Sequence, residues 1–285
     1  MVDLHTHSTS SDGTMSPEQL VEHASALGMR AIALTDHDTV EGVEAAQQAA
    51  TRCGITIIPG IEIEVNVPEE DDVPGICHIL GLGLRSWKGT IEAHLASILD
   101  NRDRRNRSII SRMKLAGVKI EYDDVKAYAG DGVVGRPHIA RFMVEQQLAH
   151  NELHAFKEYL GEFGTYFVPR DLPSLEDGIR MIHEAGGLAV LAHPYTLFVS
   201  WTGLADRLIH WQRLGLDGVE AYHSNIRYNQ AKRIAELAQS LGLIVSAGSD
   251  FHGLQRHDRK LGRTSDGRKI DDSFALPFIE HMSSK

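Results

Sequence analysis

The chain has 285 residues, of which 42% are hydrophobic and 24% charged, so it can bury the core of one large α/β domain and still hold an insertion. Its formal net charge of −10 argues against non-specific binding of nucleic acid over the whole surface. The chain has no run of 18 apolar residues and no secretory signal, so we expect a cytoplasmic protein that binds no membrane.

Seven short runs rich in β-branched and apolar residues predict strands at 2–7, 31–36, 56–65, 77–84, 188–193, 218–223 and 244–249. Most are followed by a helical pattern with a polar start and a glycine stop. The clearest are Ser16-Pro17 with Gly28, Ser174 with Gly186 and Asn229 with Gly242. Repeated β-then-α units predict either a parallel barrel or an open doubly wound sheet.

Two stretches interrupt this pattern. The link at 66–76 contains Glu69-Glu70-Asp71-Asp72 and predicts a hairpin-like connection with a mobile acidic loop rather than a helix. The gap between residues 84 and 188 is far too long for one βα connection, and residues 100–168 have a helical pattern with breaks near Gly117 and at 130–135. We therefore predict a barrel formed by 1–99 and 169–285, with an inserted helical substrate-binding subdomain at 100–168.

This insertion is more basic than the rest of the chain. Residues 100–170 carry 12 Lys and Arg against 10 Asp and Glu, and residues 102–114 alone carry six basic residues against one acid. A solvated helix face with internal ion pairs and a surface that faces phosphate both fit this pattern.

The choice between barrel and open sheet depends on where the metal-binding residue types fall. Nearly every predicted strand delivers one at or just after its end, as in a β/α barrel, and no glycine-rich phosphate loop follows any strand. We therefore predict an irregular seven-stranded β/α barrel. Six histidines and three acids suit two or three divalent ions such as Mn²⁺, Zn²⁺ or Fe²⁺; they are His5, His7, Asp12, His37, Glu62, His78, His193, Asp250 and His252.

The motifs around these residues resemble, in order, those of the polymerase and histidinol phosphatase (PHP) family. They are Asp3-Leu4-His5-Thr6-His7, Ser11-Asp12-Gly13, Leu34-Thr35-Asp36-His37-Asp38, Gly60-Ile61-Glu62, Ala192-His193-Pro194 and Gly248-Ser249-Asp250-Phe251-His252. Two further stretches, Val134-Gly135-Arg136-Pro137-His138 and Glu220-Ala221-Tyr222-His223-Ser224, resemble the branch of 3′,5′-nucleotide bisphosphate phosphatases and 5′-to-3′ exoribonucleases.

The resemblance implies a trinuclear metal site, most readily with Mn²⁺. Its expected division places the first ion with His5, His7, Glu62 and Asp250, the second with Glu62, His78 and His193, and the third with Asp12, His37 and His252. For the proton to the leaving group we name His223 as the candidate, with Asp38 and Tyr195 as alternatives. Arg136 is the candidate for a second phosphate, because a guanidinium binds phosphate in a bidentate manner; His138, Asn225 and Arg227 are further candidate substrate contacts.

These residues predict hydrolysis of the 3′-phosphate from a nucleoside 3′,5′-bisphosphate, with 5′-phosphorylated short RNA as a possible second substrate and no obligate protein partner. Three alternatives stay open at this level: a phosphatase of the histidinol-phosphate type, a metal-dependent amidohydrolase and a non-catalytic metal-binding module. The amidohydrolase hypothesis is the less favoured one, because the position that would bridge two ions carries Glu62 and not a lysine.

Overall fold

The computed structural model describes residues 1–87, 90–130, 134–169 and 171–284. The chain divides into two compact units: Met1–His94 with Leu172–Lys285, which we call the barrel unit, and Leu95–Asp171, which we call the helical unit. The described helices are α1 (Pro17–Ala26), α2 (Val43–Cys53), α3 (Thr90–Leu115), α4 (Tyr122–Ala129), α5 (Arg136–Glu145), α6 (Glu152–Ala155), α7 (Leu175–Glu184), α8 (Trp201–Arg213), α9 (Tyr228–Ser240) and α10 (Leu276–Ser283).

Seven strands form a single, nearly closed barrel in the order in which they occur along the chain: β1 (Val2–Asp3), β2 (Ala31–Leu34), β3 (Thr56–Val65), β4 (Cys77–Leu82), β5 (Leu188–Leu191), β6 (Gly218–His223) and β7 (Ile244–Gly248). The first and last strands lie side by side, since the Leu4 amide donates to the Ala247 carbonyl at 3.1 Å and Thr6 pairs with Phe251. The predicted irregular β/α barrel is therefore confirmed.

Strand β4 is the exception to the parallel order. It runs antiparallel to both β3 and β5, because residues 66–76 form a hairpin link and not a crossover. The expectation of a loop without helix is wrong for Glu69–Asp71, which form a 3₁₀ helix. Asp71 anchors this link to α8, where its carboxylate accepts hydrogen bonds from Trp211 Nε1 at 2.6 Å and His210 Nδ1 at 3.1 Å.

Five of the predicted strands extend further along the chain than the corresponding strands of the structure, whose extent is set by their ladders of backbone hydrogen bonds. The ladders stop at Asp3, Leu34, Leu82, Leu191 and Gly248, and the residues that follow lie outside the regular strands. His193 and Asp250 have φ values of 26° and 56°, in the left-handed region that ends a strand. The residues that carry metal-binding side chains are thus turned out of the ladder at the rim.

The lower part of the barrel is filled with apolar side chains. Val2, Ile58, Leu80, Val190 and Ala247 share one buried cluster, which also includes Phe278 of α10. Outside the strands, α1 begins as predicted, with Ser16 and Gln19 forming a capping box and Pro17 in the first turn. The apolar filling leaves only the opposite end of the barrel for polar chemistry.

The helical unit has its own apolar core, in which Ile109, Met113, Ile139, Phe142 and Leu160 are buried. Gly117 and Gly130 both have positive φ, as expected at the ends of helices; residues 131–133 of the predicted second break lie outside the described residues. The substrate-binding role of residues 100–168 stays a prediction. In the part of the chain that the structure describes, no helix is both long and apolar enough to cross a membrane.

Gly248 at the end of β7 is a position where the backbones approach closely. A Cβ atom there would lie 2.3 Å from Cβ of His5 and 2.7 Å from Oε1 of Glu220, both below any ordinary van der Waals separation. Gly81 on β4 differs, because a Cβ atom there would meet the ends of the Ile61 and Ile182 side chains at 3.0 Å, and such side chains can shift.

We expect Gly248→Ala to lower the free energy of unfolding by about 1–3 kcal/mol, as for overpacked cores, and to weaken Mn²⁺ binding because His5 must move. The matched control, Gly81→Ala, should lose less stability and keep its metal affinity. Urea unfolding and calorimetric Mn²⁺ titration measure both effects. Equal stability of Gly248→Ala and the unmodified protein would contradict the close approach.

Candidate metal centre

All nine predicted metal-binding residues come together at one rim of the barrel unit. His5, His37, His193 and Asp250 follow strands whose ends point to this rim. His78 lies near the start of β4, and it reaches the same rim because β4 runs in the opposite direction. Glu62 lies within β3 and not at its end, since β3 continues into the hairpin.

His5, His7, Glu62 and Asp250 form a first group of buried ligand atoms. Oε2 of Glu62 lies 3.2 Å from Nε2 of His5 and 3.2 Å from Nε2 of His7, and Oδ1 of Asp250 lies 3.2 Å from the same His7 atom. Atoms that each lie about 2.0–2.2 Å from one ion are separated by about 3.0–3.5 Å. These separations therefore fit a shared ion.

The imidazoles of this group support the same conclusion. Nε2 of His5 and both ring nitrogens of His7 are buried and form no hydrogen bond with the described residues. A buried polar atom without a partner is costly, and a divalent ion would satisfy these nitrogens.

The second oxygen of Glu62 faces a different pair of histidines. Oε1 lies 2.7 Å from Nδ1 of His78 and 2.9 Å from Nε2 of His193. One carboxylate thus presents one oxygen to each of two ligand groups, which is the arrangement of a bridging ligand. His37 also approaches this region, with Nδ1 at 3.2 Å from Oε2 of Glu62.

Asp12, His37 and His252 form the third group, which His7 joins. Oδ1 of Asp12 lies 3.2 Å from Nε2 of His252 and 3.9 Å from Nδ1 of His7. The structure therefore brings together the residues of all three expected ion sites. Their assignment as ligands stays a prediction.

The electrostatics of the centre couple its carboxylates to its imidazoles. Burial alone would raise the pKa of Glu62, but His37, His5 and His78 hold that pKa well below its usual range. Burial lowers the pKa of His7, yet the nearby carboxylates of Asp250 and Glu62 raise it to about 9. Because a metal needs the unprotonated nitrogen, ion binding must displace protons here.

Comparison with known proteins identifies the family. Residues 3–125 match the PHP domain, and a 5′-3′ exoribonuclease from Haemophilus influenzae is 37% identical over 88% of this chain and 89% of its own length. The chain belongs to the PHP family. A 3′,5′-nucleoside bisphosphate phosphatase from Chromobacterium violaceum is 31% identical to this PHP protein, over 93% of this chain and 92% of that protein.

A solved structure agrees with the PHP fold. A protein from Chromobacterium violaceum described as an amidohydrolase, with bound sulfate and no metal, is 29% identical to this chain and has a TM-score of 0.85; the match covers 98% of this chain and 96% of that protein. The branch resemblance read from the insertion and Glu220 motifs is confirmed by the exoribonuclease and phosphatase relatives.

His223 of the PHP centre is buried at the end of β6. Its Nδ1 accepts the backbone N–H of Asn225 at 3.0 Å, so Nε2 carries the proton when the ring is neutral. That Nε2 atom lies 3.6 Å from Oδ2 of Asp250 and has no hydrogen-bond partner among the described residues. A proton donor aimed at the ligand groups is compatible with the predicted acid role, which stays a prediction.

The other predicted contacts of the barrel unit lie near the same rim or on its surface. Asp38 is buried with a positive φ of 56°, and its backbone N–H donates to the Glu62 carbonyl at 2.9 Å. Asn225 Nδ2 donates to Tyr195 Oη at 3.0 Å. Arg227 is exposed at the residue before α9. Their roles toward a substrate stay predictions.

Arg136 and His138 lie in the helical unit, at the start of α5. Arg136 Nη1 donates to the Leu160 carbonyl at 3.3 Å, and its guanidinium lies 5.7 Å from the centre of the Phe156 ring. His138 is buried, and its Nδ1 accepts the Gly135 N–H at 2.9 Å, which caps the helix. This hydrogen bond occupies Nδ1, which is one of the two ring nitrogens that could contact a substrate.

Three buried carboxylates that hold the centre in place were missed by the sequence reasoning. Asp3 accepts from the Ser249 backbone and hydroxyl and from the Gly262 N–H, and Asp36 accepts from Ser8 and Ser11. Both acids stand within two residues of a motif histidine, which is the signal that could have found them.

Glu220 is the third of these acids. Its Oε1 lies 3.0 Å from Nδ1 of His5, and its Oε2 accepts the His193 backbone N–H at 2.7 Å. An acid on Nδ1 fixes the tautomer of His5 and leaves Nε2 free for an ion.

We expect Glu220→Gln to weaken Mn²⁺ binding by about 10–100-fold, the usual loss when such a supporting partner is changed. The reason is that the amide no longer draws the proton of His5 to Nδ1. The control is Glu236→Gln on α9, whose carboxylate is 63% exposed. Calorimetric titration of metal-free protein measures both variants, and unchanged affinity in Glu220→Gln would exclude the supporting role.

Proposed function

We propose that this protein removes the 3′-phosphate from nucleoside 3′,5′-bisphosphates to give the 5′-mononucleotide and phosphate. The broader class is metal-dependent phosphoester hydrolysis, which rests on the PHP family, its relatives and the ligand groups at the rim. The observation that carries the finer proposal is a cluster of guanidiniums in the helical unit, which suits a second phosphate.

The nine rim residues would hold two or three divalent ions, and we propose Mn²⁺ because mixed imidazole and carboxylate ligands suit it. Such ions lower the pKa of bound water and neutralise charge that develops on a phosphoryl group. Once ions have displaced their protons, the six histidines offer neutral nitrogens, whereas Asp12, Glu62 and Asp250 offer three negative charges. That shortage of negative charge favours an anionic phosphate ester over a neutral amide.

His223 is the candidate for the proton that the leaving alkoxide requires. Its Nε2–H has no hydrogen-bond partner among the described residues and faces the ligand groups, so a substrate oxygen could receive this proton. Asp38 is retained as the alternative, and Asn225 and Arg227 as contacts to the substrate beyond its phosphate.

The guanidiniums of Arg102, Arg105 and Arg136 repel one another. Burial, followed by Arg102, lowers the pKa of Arg136 to about 10; burial, followed by Arg136 and Arg102, lowers the pKa of Arg105 to about 9. Neither Arg105 nor Arg136 forms an ion pair with a carboxylate in the described part of the chain. An anion would relieve this repulsion, and a phosphate matches the planar guanidinium donors.

A second candidate function is removal of nucleotides from 5′-phosphorylated short RNA, which the Haemophilus influenzae relative favours by its name and its 37% identity. The same guanidiniums would then bind the 5′-terminal phosphate. Histidinol phosphate is a poorer candidate, because its cationic amino group would be repelled by such a cluster. The substrate is thus proposed to be a phosphorylated nucleotide, and no protein partner is proposed.

We expect Arg136→Ala to lower kcat/KM on adenosine 3′,5′-bisphosphate by one to two decades, because a charge-assisted contact contributes about 1.5–3 kcal/mol. Adenosine 3′-monophosphate, which lacks the second phosphate, should lose little. The control is Arg141→Ala on the same helix, which pairs with Glu152 at 3.6 Å. Equal losses on both substrates would assign Arg136 a structural role.

We also expect removal of the 5′-phosphate from the substrate to lower the rate more than exchange of adenine for uracil does. The reason is that the candidate contacts are guanidiniums and amides, which bind phosphate and ribose and not the base. A panel of adenosine and uridine 3′,5′-bisphosphates, their 3′-monophosphates, 5′-phosphorylated RNA and histidinol phosphate, assayed with Mn²⁺, measures this. Faster turnover of histidinol phosphate would end the nucleotide proposal and leave the phosphoesterase class in place.

A further inference from the structure

Arg259 contacts one of the predicted metal ligands directly. Its Nη1 donates to the Asp250 carbonyl oxygen at 3.1 Å and forms a short ion pair with Oδ2 of the same residue. The arginine side chain is only 13% exposed, although it follows an exposed loop at 254–258. It was not among the residues that the sequence pattern singled out.

The two oxygens of Asp250 have different surroundings. Oδ1 faces the imidazoles, at 3.2 Å from Nε2 of His7 and 3.5 Å from Nε2 of His5. Oδ2 faces Arg259 and, at 3.6 Å, Nε2 of His223. An oxygen that accepts a charge-assisted hydrogen bond from a guanidinium is a poor second metal ligand, so only Oδ1 remains for an ion.

The backbone of Asp250 also depends on this contact. Its φ of 56° lies in the left-handed region, which is uncommon for residues with a side chain although aspartate adopts it more readily than most. Because Arg259 donates hydrogen bonds to both the carbonyl and the carboxylate of Asp250, it fixes the backbone and the side chain of that residue together. Both hydrogen bonds come from Nη1 at the far end of the guanidinium, and a lysine ammonium on its shorter side chain does not reach the same position.

We propose that Arg259 is a positioning residue, which restricts Asp250 to binding metal through Oδ1 alone and holds the strained turn that carries it. The inference needs only the phosphoesterase class and not the identity of the nucleotide. Without Arg259, Oδ2 is released and the turn can relax, so the first ion site should lose affinity before any substrate is present.

The test is calorimetric Mn²⁺ titration of metal-free Arg259→Ala and Arg259→Lys. We expect affinity to fall about 10–100-fold in Arg259→Ala, with Arg259→Lys between that variant and the unmodified protein. Arg256→Ala is the matched control on the same loop, since Arg256 is 48% exposed and pairs with Asp258. It should bind Mn²⁺ normally.

Chemical rescue separates positioning from a general loss of stability. Guanidinium chloride at about 10–50 mM, far below the molar concentrations that unfold proteins, should restore part of the Mn²⁺ affinity of Arg259→Ala, whereas methylammonium should not. If Arg259→Ala fails to fold, Arg259→Lys carries the test. Normal Mn²⁺ affinity in the folded variants would overturn the proposal, as would Arg259→Lys behaving like the unmodified protein. Failure of the nucleotide proposal alone would leave these titrations unchanged.

Discussion

The centre depends on one buried carboxylate, Glu62, which is 1% exposed and lies among the imidazoles of the rim. A carboxylate in such a place is very unfavourable unless opposite charge or hydrogen bonds compensate it. Oε2 lies near three histidines and Oε1 lies near two others, so the position of Glu62 sets how the ligand groups are spaced. The reversed direction of β4 contributes to this arrangement, because it brings His78 to Glu62 from the neighbouring strand.

This centre is surrounded by acidic side chains that are buried from solvent. Asp3, Asp36 and Glu220 are all buried, and each accepts hydrogen bonds from a segment that carries rim residues. They add side-chain hydrogen bonds to chain segments that have left the regular strands. Left-handed residues such as His193 and Asp250 can persist there because their neighbours fix them.

The barrel unit and the helical unit carry side chains that suit ions of opposite sign. The rim of the barrel unit collects acids and imidazoles, which suits cations, whereas the start of α5 in the helical unit collects guanidiniums, which suits anions. The net charge of −10 therefore describes neither of these two surfaces.

The sequence by itself determined the number and order of the strands, the barrel class, and the residue types that gather at the rim. It could do so because strand periodicity and motif spacing are local properties, and because parallel strands bring their carboxyl ends to one rim. Local patterns also placed the start of α1, with Ser16 as its N-cap and Pro17 in the first turn.

Only the tertiary structure decided which atoms meet. No local pattern encodes the split surroundings of the Glu62 and Asp250 oxygens, or the contact of Glu220 with His5, whose residues are 215 positions apart. The strand ends were predicted too late for a related reason, since residues such as His5 and Asp36 leave the regular strands and bind segments that are distant in the sequence. Side-chain contacts across the barrel, and not propensity, fix those positions.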